Sequence, residues 1–313
     1  MPYYPPDSGG TGDAPEVVTA ARTYYVATTG SDSNDGSIGS PWATIQFALN
    51  FCQMRLIIQT KVTVTIQVAD GTYDEQPFLS ARVGGGGTIS LYGNAADASL
   101  VVIKPTAAPN YSAVMNFHFC TVTGLGGFTL DATDAGFAGG RCMYAIGADF
   151  DIAPGYEMIL KMPNNSGDFC CQFMVDSKIG FGGITFNLPG DQASMVYLDD
   201  SWITAGSWTL TGAATNWIVG AILVANNAQL NWASFSDVTG TATGSRGSIV
   251  VNSGLVQYVS SLTNFPGDSP LAVDPSSSVA SDFGSGITGA LRLAAPPTTT
   301  DMPVYRTTAV VKD

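Results

Sequence analysis

Residues 24–49 read YYVATTGSDSNDGSIGSPWATIQFAL. Three local signals share this stretch: an aromatic and β-branched run at Tyr24–Val26, a turn-forming cluster of Gly, Asp, Ser and Asn, and an apolar pattern of helical period. Tyr25 and Val26 are expected to begin the first strand. Ser40 is placed to cap a helix and Pro41 to occupy its first turn. Ile45, Ala48, Leu49, Cys52 and Leu56 then recur at helical spacing and predict one amphipathic helix, the one convincing helix of the 313 residues.

Downstream the period changes from 3.6 to 2. In KVTVTIQVADGTYDE, Val62, Val64, Ile66 and Val68 alternate with polar residues before a turn. Short strand-like runs bounded by Gly, Asn, Asp or Pro continue as TISLYGN, LVVIKP, GGFTLDAT, GGITFNLPG, GSWTLTG, AQLNWASF, GSIVVNSG and LVQYVSS. No helical segments alternate with them, which argues against a βαβ sheet. Ile184 lies 24 residues before Trp208, Trp208 lies 22 before Leu230, and Leu230 lies 19 before Ile249. An irregular period near two dozen residues, with a strand and a polar turn in each unit, implies a solenoid. The expected fold is all-β, a parallel β-helix of about ten coils and a length of roughly 50 Å, given strand spacing of ~4.8 Å. The helix then covers the open end, where apolar interior and strand edges would otherwise meet water. A β-sandwich is the competing fold. It needs antiparallel hairpins, and Asn-Gly or Asp-Gly turns between alternating strands are nearly absent.

Composition narrows the function. Hydrophobic residues make up 45% of the chain and charged ones 12%, so a large core is affordable and the surface is built from neutral polar side chains. The net charge of −13, with 12 Lys and Arg in all, opposes binding to a nucleic-acid backbone. No run approaches the length of a membrane span and the N-terminal residues lack an export-signal pattern. Cys52, Cys120, Cys142, Cys170 and Cys171 show no metal-ligand spacing and predict buried, reduced thiols. Cys170 and Cys171 are adjacent, so at most one is expected to be interior.

The quoted segment resembles the opening of right-handed parallel β-helix proteins of the pectin-lyase-like superfamily, in which a YYV…G.D.NDG…P..TIQ.A pattern leads into the capping helix. VADGTYDE and ISLYGN are similar to their first coils. Residues 242–267, ATGSRGSIVVNSGLVQYVSSLTNFPG, resemble the last coils of bacteriophage and prophage tail proteins. The resemblance implies a right-handed β-helix, a tail fibre or tailspike, and homotrimers about a common axis.

Asp32, Asn34 and Asp35 lie in DSNDG and begin like a calcium loop. The twelfth position from Asp32 is Ala43, where a bidentate Glu is required, so an EF-hand is excluded and turn formation is the expected role. Asp199 and Asp200 in YLDDSW are candidate carboxylates for glycan hydrolysis, as adjacent aspartates are in the polygalacturonases that this fold resembles. The Asn-Thr-Asp, Gly-His-Gly and Arg-Ile-Lys segments of those enzymes are missing. Asp149 and Asp151, two apart and so on one strand face, resemble the aspartate segment of pectin methylesterases, without their Leu-Gly-Arg-Pro-Trp segment. Arg141, Lys161 and Lys178 could serve a lyase, but no carboxylate cluster surrounds them. His118, the single histidine, is flanked in sequence by Phe117 and Phe119 and is expected to be a packed or inter-coil hydrogen-bonded residue rather than a catalyst. Trp202, Trp208, Trp217 and Trp232 form either a sugar platform, an interior stack or a subunit contact.

The expected organisation is an arm over residues 1–22 that attaches to other virion proteins, a strand and capping helix over 23–60, the β-helix over 61–290, and a tail over 291–313 that could clamp a trimer. The expected function is a structural virion protein engaged in host attachment, with a host surface glycan or receptor as partner, no cofactor, no nucleic acid and no membrane insertion. Assembly in the host cytoplasm and release by lysis agree with the reduced thiols. A polysaccharide depolymerase on the same scaffold and a non-phage adhesin are the alternatives.

Overall fold

The computed structural model describes residues 14–80, 84–106, 113–134, 140–163, 169–189, 194–206 and 208–211, and beyond these the segments 222–225, 228–232, 249–252, 255–258, 271–273 and 278–281. Three parallel sheets of ten, six and eight strands run along the molecule. Sheet I runs from Arg22–Val26 to Ser278–Ser281, sheet II from Gly71–Tyr73 to Trp208–Thr211, and sheet III from Phe78–Ser80 to Leu271–Val273. Between Thr63 and Ala225 the chain visits sheets I, II and III in that order six times. The fold is therefore a right-handed parallel β-helix. The antiparallel sandwich is ruled out, because each strand bonds in parallel to its equivalent one coil away. Ten strands at ~4.8 Å make sheet I about 43 Å tall.

Ile184 and Trp208 are register partners in sheet II, so their spacing is a true coil. Trp208, Leu230 and Ile249, by contrast, belong to sheets II, I and III, and the two shorter spacings compare different faces. Coil length varies: Ile89 pairs with Val122, 33 residues on, and Ile179 with Ile203, 24 on.

Strand alternation fills the interior. In Thr63–Val68, Val64, Ile66 and Val68 point inward while the threonines and Gln67 face out. Farther along, Phe117, Phe150, Phe173 and Phe181 continue through the interior, alternating between sheets III and I, with ring centroids 4.8, 6.0 and 5.4 Å apart. Phe186 and Trp208 extend the column, 5.2 Å apart. The Trp208 indole N–H donates to the Phe181 carbonyl at 2.7 Å, so its polar atom is satisfied in the core.

The capping helix spans Ile45–Arg55 and buries Ile45, Ala48, Leu49 and Cys52, as its spacing predicts. Its N-cap is Thr44, whose hydroxyl accepts from the Phe47 amide, and not Ser40. Extended pairing prevents an earlier start: the Trp42 amide donates to Tyr25 O and the Trp42 carbonyl accepts from Ala27 N, both at 2.9 Å. Trp42 is buried against Tyr24, Phe47 and Phe51. Leu56 has already left the helix for a strand, Leu56–Ile58, that pairs with Glu16–Val18. Strand structure thus begins at Glu16 and in sheet I at Arg22, ahead of Tyr25. No helix among the described residues is long and apolar enough to cross a membrane.

The corner from sheet III to sheet I is sharp. Phe119, Gly147, Val175, Asp176 and Asp200 turn it with positive φ of 46° to 58°. Backbone bonds continue around the bend, as from Gly147 N to Met174 O and from Val175 N to Asp199 O. At the opposite end of sheet III both Cys170 and Cys171 are buried, contrary to expectation. Cys171 pairs with Met143 under the sheet, whereas the chain enters the strand round a corner that also turns Cys170 inward, toward Cys142. All five thiols are buried and unpaired, and burial pushes Cys52 and Cys120 up to about 12.

Candidate functional site

Asp32, Asn34 and Asp35 shape the turn that launches the helix. One Asp32 oxygen accepts from the amides of Ala43 and Thr44 at 2.9 and 3.0 Å, and the other from the Thr44 hydroxyl at 2.9 Å. The Asn34 side chain donates to Pro41 O and the Asn34 backbone carbonyl accepts from the Trp42 indole, both at 2.8 Å. Asp35 accepts from the Ser37 amide at 2.9 Å, a bond that lowers its pKa. The oxygens of Asp32 are thereby turned to the helix N-terminus, where partial positive charge gathers. Glu75 reaches the same terminus from the first coil, taking the amides of Ile45 and Gln46 at 2.8 Å each. Among the described residues no group of three or more His, Cys, Asp or Glu side chains is arranged to hold a metal.

Two of the four candidate acids share a strand face, and the other two lie on a different sheet and its corner. Asp149 and Asp151 are exposed on the outer face of sheet I, in register with Lys178 and Gly180 respectively. A side chain at Gly180 would collide with the Asp151 carboxylate. Asp199 is half-buried on the outer face of sheet III and accepts from the Tyr197 hydroxyl at 3.2 Å. Asp200 is exposed at the corner between those sheets.

His118 is packed as part of an aromatic series on sheet III, edge-on to Phe78 at 4.8 Å and to Tyr144 at 5.7 Å. Burial lowers its pKa. Farther along the same face Phe169 stacks on Tyr197 at 4.8 Å. Trp208 is interior and Trp202 is 42% exposed on sheet I, so these two share no platform. Trp217 and the side chain of Trp232 lie outside the described residues.

Gln67, Asn94 and Tyr156, which the sequence did not single out, help to line a concave feature. Tyr92 and Tyr156 stack at 4.6 Å and 17° beside the corner from sheet I to sheet II. Gly124 and Gly126 make this possible, because a Cβ at either would collide with Tyr92 or Tyr156. Next to the stack a cleft of about 470 Å³ is lined by Tyr25, Ile38, Gln67, Asp70, Asn94 and Tyr156, among others.

No protein-family model matches the sequence, and no curated protein matches it. Among solved structures the chain is similar to a rice weevil pectin methyl esterase, at 10% identity over 82% of this chain and 83% of that one, with a TM-score of 0.41. What the surface can do is therefore read from this chain's own residues.

Proposed function

We propose that the chain is a structural virion protein of a bacteriophage, a tail fibre, tailspike or comparable surface appendage engaged in host attachment. The observation that carries this is the lateral surface of the rod. Partly exposed aromatic and amide side chains recur along sheet III at Phe78, Tyr144, Gln172 and Tyr197, in register with one another through the buried Asn116. The four aspartates, meanwhile, are divided between two sheets and a corner. Such a surface suits side-by-side packing and receptor contact. Glycan hydrolysis needs two carboxyl groups converging on one linkage; Asp149 and Asp151 share a face but stand exposed on the outer side of sheet I. The resemblance of residues 242–267 to phage tail proteins supports the same assignment, although most of that segment lies outside the described residues.

The working unit would be a homotrimer about a common axis, with residues 1–22 contacting other virion proteins. Phe119 and Val175 on the corner from sheet III to sheet I, at 60% and 48% exposure, and Trp202 on the adjoining strand of sheet I, at 42%, offer exposed apolar side chains suited to such packing. Sedimentation at micromolar concentration is expected to give a trimer, and Phe119→Asp combined with Val175→Asp a folded monomer. A stable wild-type monomer would contradict the trimeric fibre. Release of new reducing ends from a surface polysaccharide, lost on Asp199→Asn or Asp149→Asn, would replace attachment by depolymerisation.

A further inference from the structure

We infer that the cleft between Tyr25 and Tyr156 binds a neutral, hydroxyl-rich sugar ring of a surface polysaccharide. Its volume of about 470 Å³ lies in the range of small-molecule sites. Its lining combines Ile38 and Pro41, from the loop before the capping helix, with Asn94 and Tyr156 from later in the chain and with Val26 and Val68, where two strands of sheet I end.

The polar groups are held in place before any ligand arrives. Gln67 donates its amide to the carbonyls of Tyr92 and Gly93, at 3.3 and 2.8 Å. Asn94 donates to Asp70 at 2.8 Å, while its own oxygen accepts from the amides of Ala96 and Asp97. Stacking on Tyr92 fixes the Tyr156 ring. Binding therefore immobilises few side chains, which favours affinity.

The chemistry of the lining selects the ligand. Tyrosine rings take the apolar C–H face of a pyranose, and the carboxylate of Asp70 accepts from its hydroxyls. No Lys or Arg lines the cleft, and Asp70 repels a uronate carboxylate. A neutral ring is thus preferred over an acidic one.

The inference rests on the attachment reading for its biological use, but the two fail separately: saccharide binding reports on the cleft, and oligomeric state and particle location report on the virion role. The test is to titrate the full chain by calorimetry with neutral oligosaccharides of glucose, galactose, mannose and rhamnose, with matched uronate oligosaccharides, and with tetramethylammonium. At least one neutral oligosaccharide is expected to bind at millimolar concentration or below, with the uronates about tenfold weaker. Tyr156→Ala is expected to weaken binding by about tenfold. Asp70→Ala, at an exposed position that leaves the core intact, is expected to weaken it by a similar factor. Absence of neutral binding, preference for the uronates or the ammonium ion, or neutral binding unchanged in both variants would each overturn the assignment.

Discussion

Replacing Phe173 by Ala is expected to lower the free energy of unfolding by about 3–5 kcal/mol. The ring is fully buried and stands at the centre of the aromatic column, 6.0 Å from Phe150 and 5.4 Å from Phe181. Both neighbours are themselves buried, on successive strands of sheet I across the interior. The backbone is pinned on both sides, since Phe173 pairs with Ala145 in one coil and Leu198 in the next. The hole left by the ring can therefore collapse only slightly, and a cavity that does not collapse makes a deletion costly. In a solenoid each coil contacts only its neighbours, so damage at Phe173 weakens the interfaces above and below together. Denaturant unfolding would read the effect as a lower midpoint, and a loss below about 1 kcal/mol would contradict continuous packing along the axis.

The second large effect is a pH dependence centred on Glu75. Burial pushes its pKa up to about 7 from an ordinary 4.5, with Asp32 nearby adding to the rise, while the amides of Gln46 and Ile45 hold it down in part. The folded state then binds the proton more tightly than the unfolded chain. Stability linked to this group is complete below about pH 4.5 and is lost as pH rises through about 7. A displacement of this size corresponds to at most about 3 kcal/mol, reduced by the exposed edge of the half-buried side chain. Lowering the pH from neutral toward 5 should raise the melting temperature of the wild type relative to Glu75→Gln. The difference between the two proteins isolates Glu75 from the other carboxylates. Parallel pH profiles for the pair would show that the helix cap does not depend on this proton.

Local signals were legible in the sequence, and contacts across coils were not. The helical spacing of Ile45, Ala48, Leu49 and Cys52 located the capping helix, because one buried face suffices to write that pattern. Its start was misplaced at Ser40, since what holds residues 40–43 extended is pairing with Tyr25 and Ala27, far back along the chain. Ile184 and Trp208 revealed the coil because both lie in sheet II with a compact turn region between them. Ile249–Asn252 of sheet III was read as a strand, but Ala113–His118 and Phe169–Met174 of the same sheet were not: corner residues such as Val114 and Cys170 are buried beside inward neighbours, which erases the period of two. The cleft was hidden for a related reason. Tyr25, Gln67 and Tyr92 are aligned by register across loops of unequal length, and Tyr156 arrives from a later coil. The one available signal was the Gly124-Leu125-Gly126 run, where absent side chains mark a surface that aromatic rings cover.

The central claim, that this β-helix is a surface appendage of a phage particle, is tested most directly by immunogold electron microscopy of particles released from cells that encode it. An antibody raised against the folded chain is predicted to decorate the tail or another fixed appendage of intact virions. Label confined to material outside the particles would contradict it.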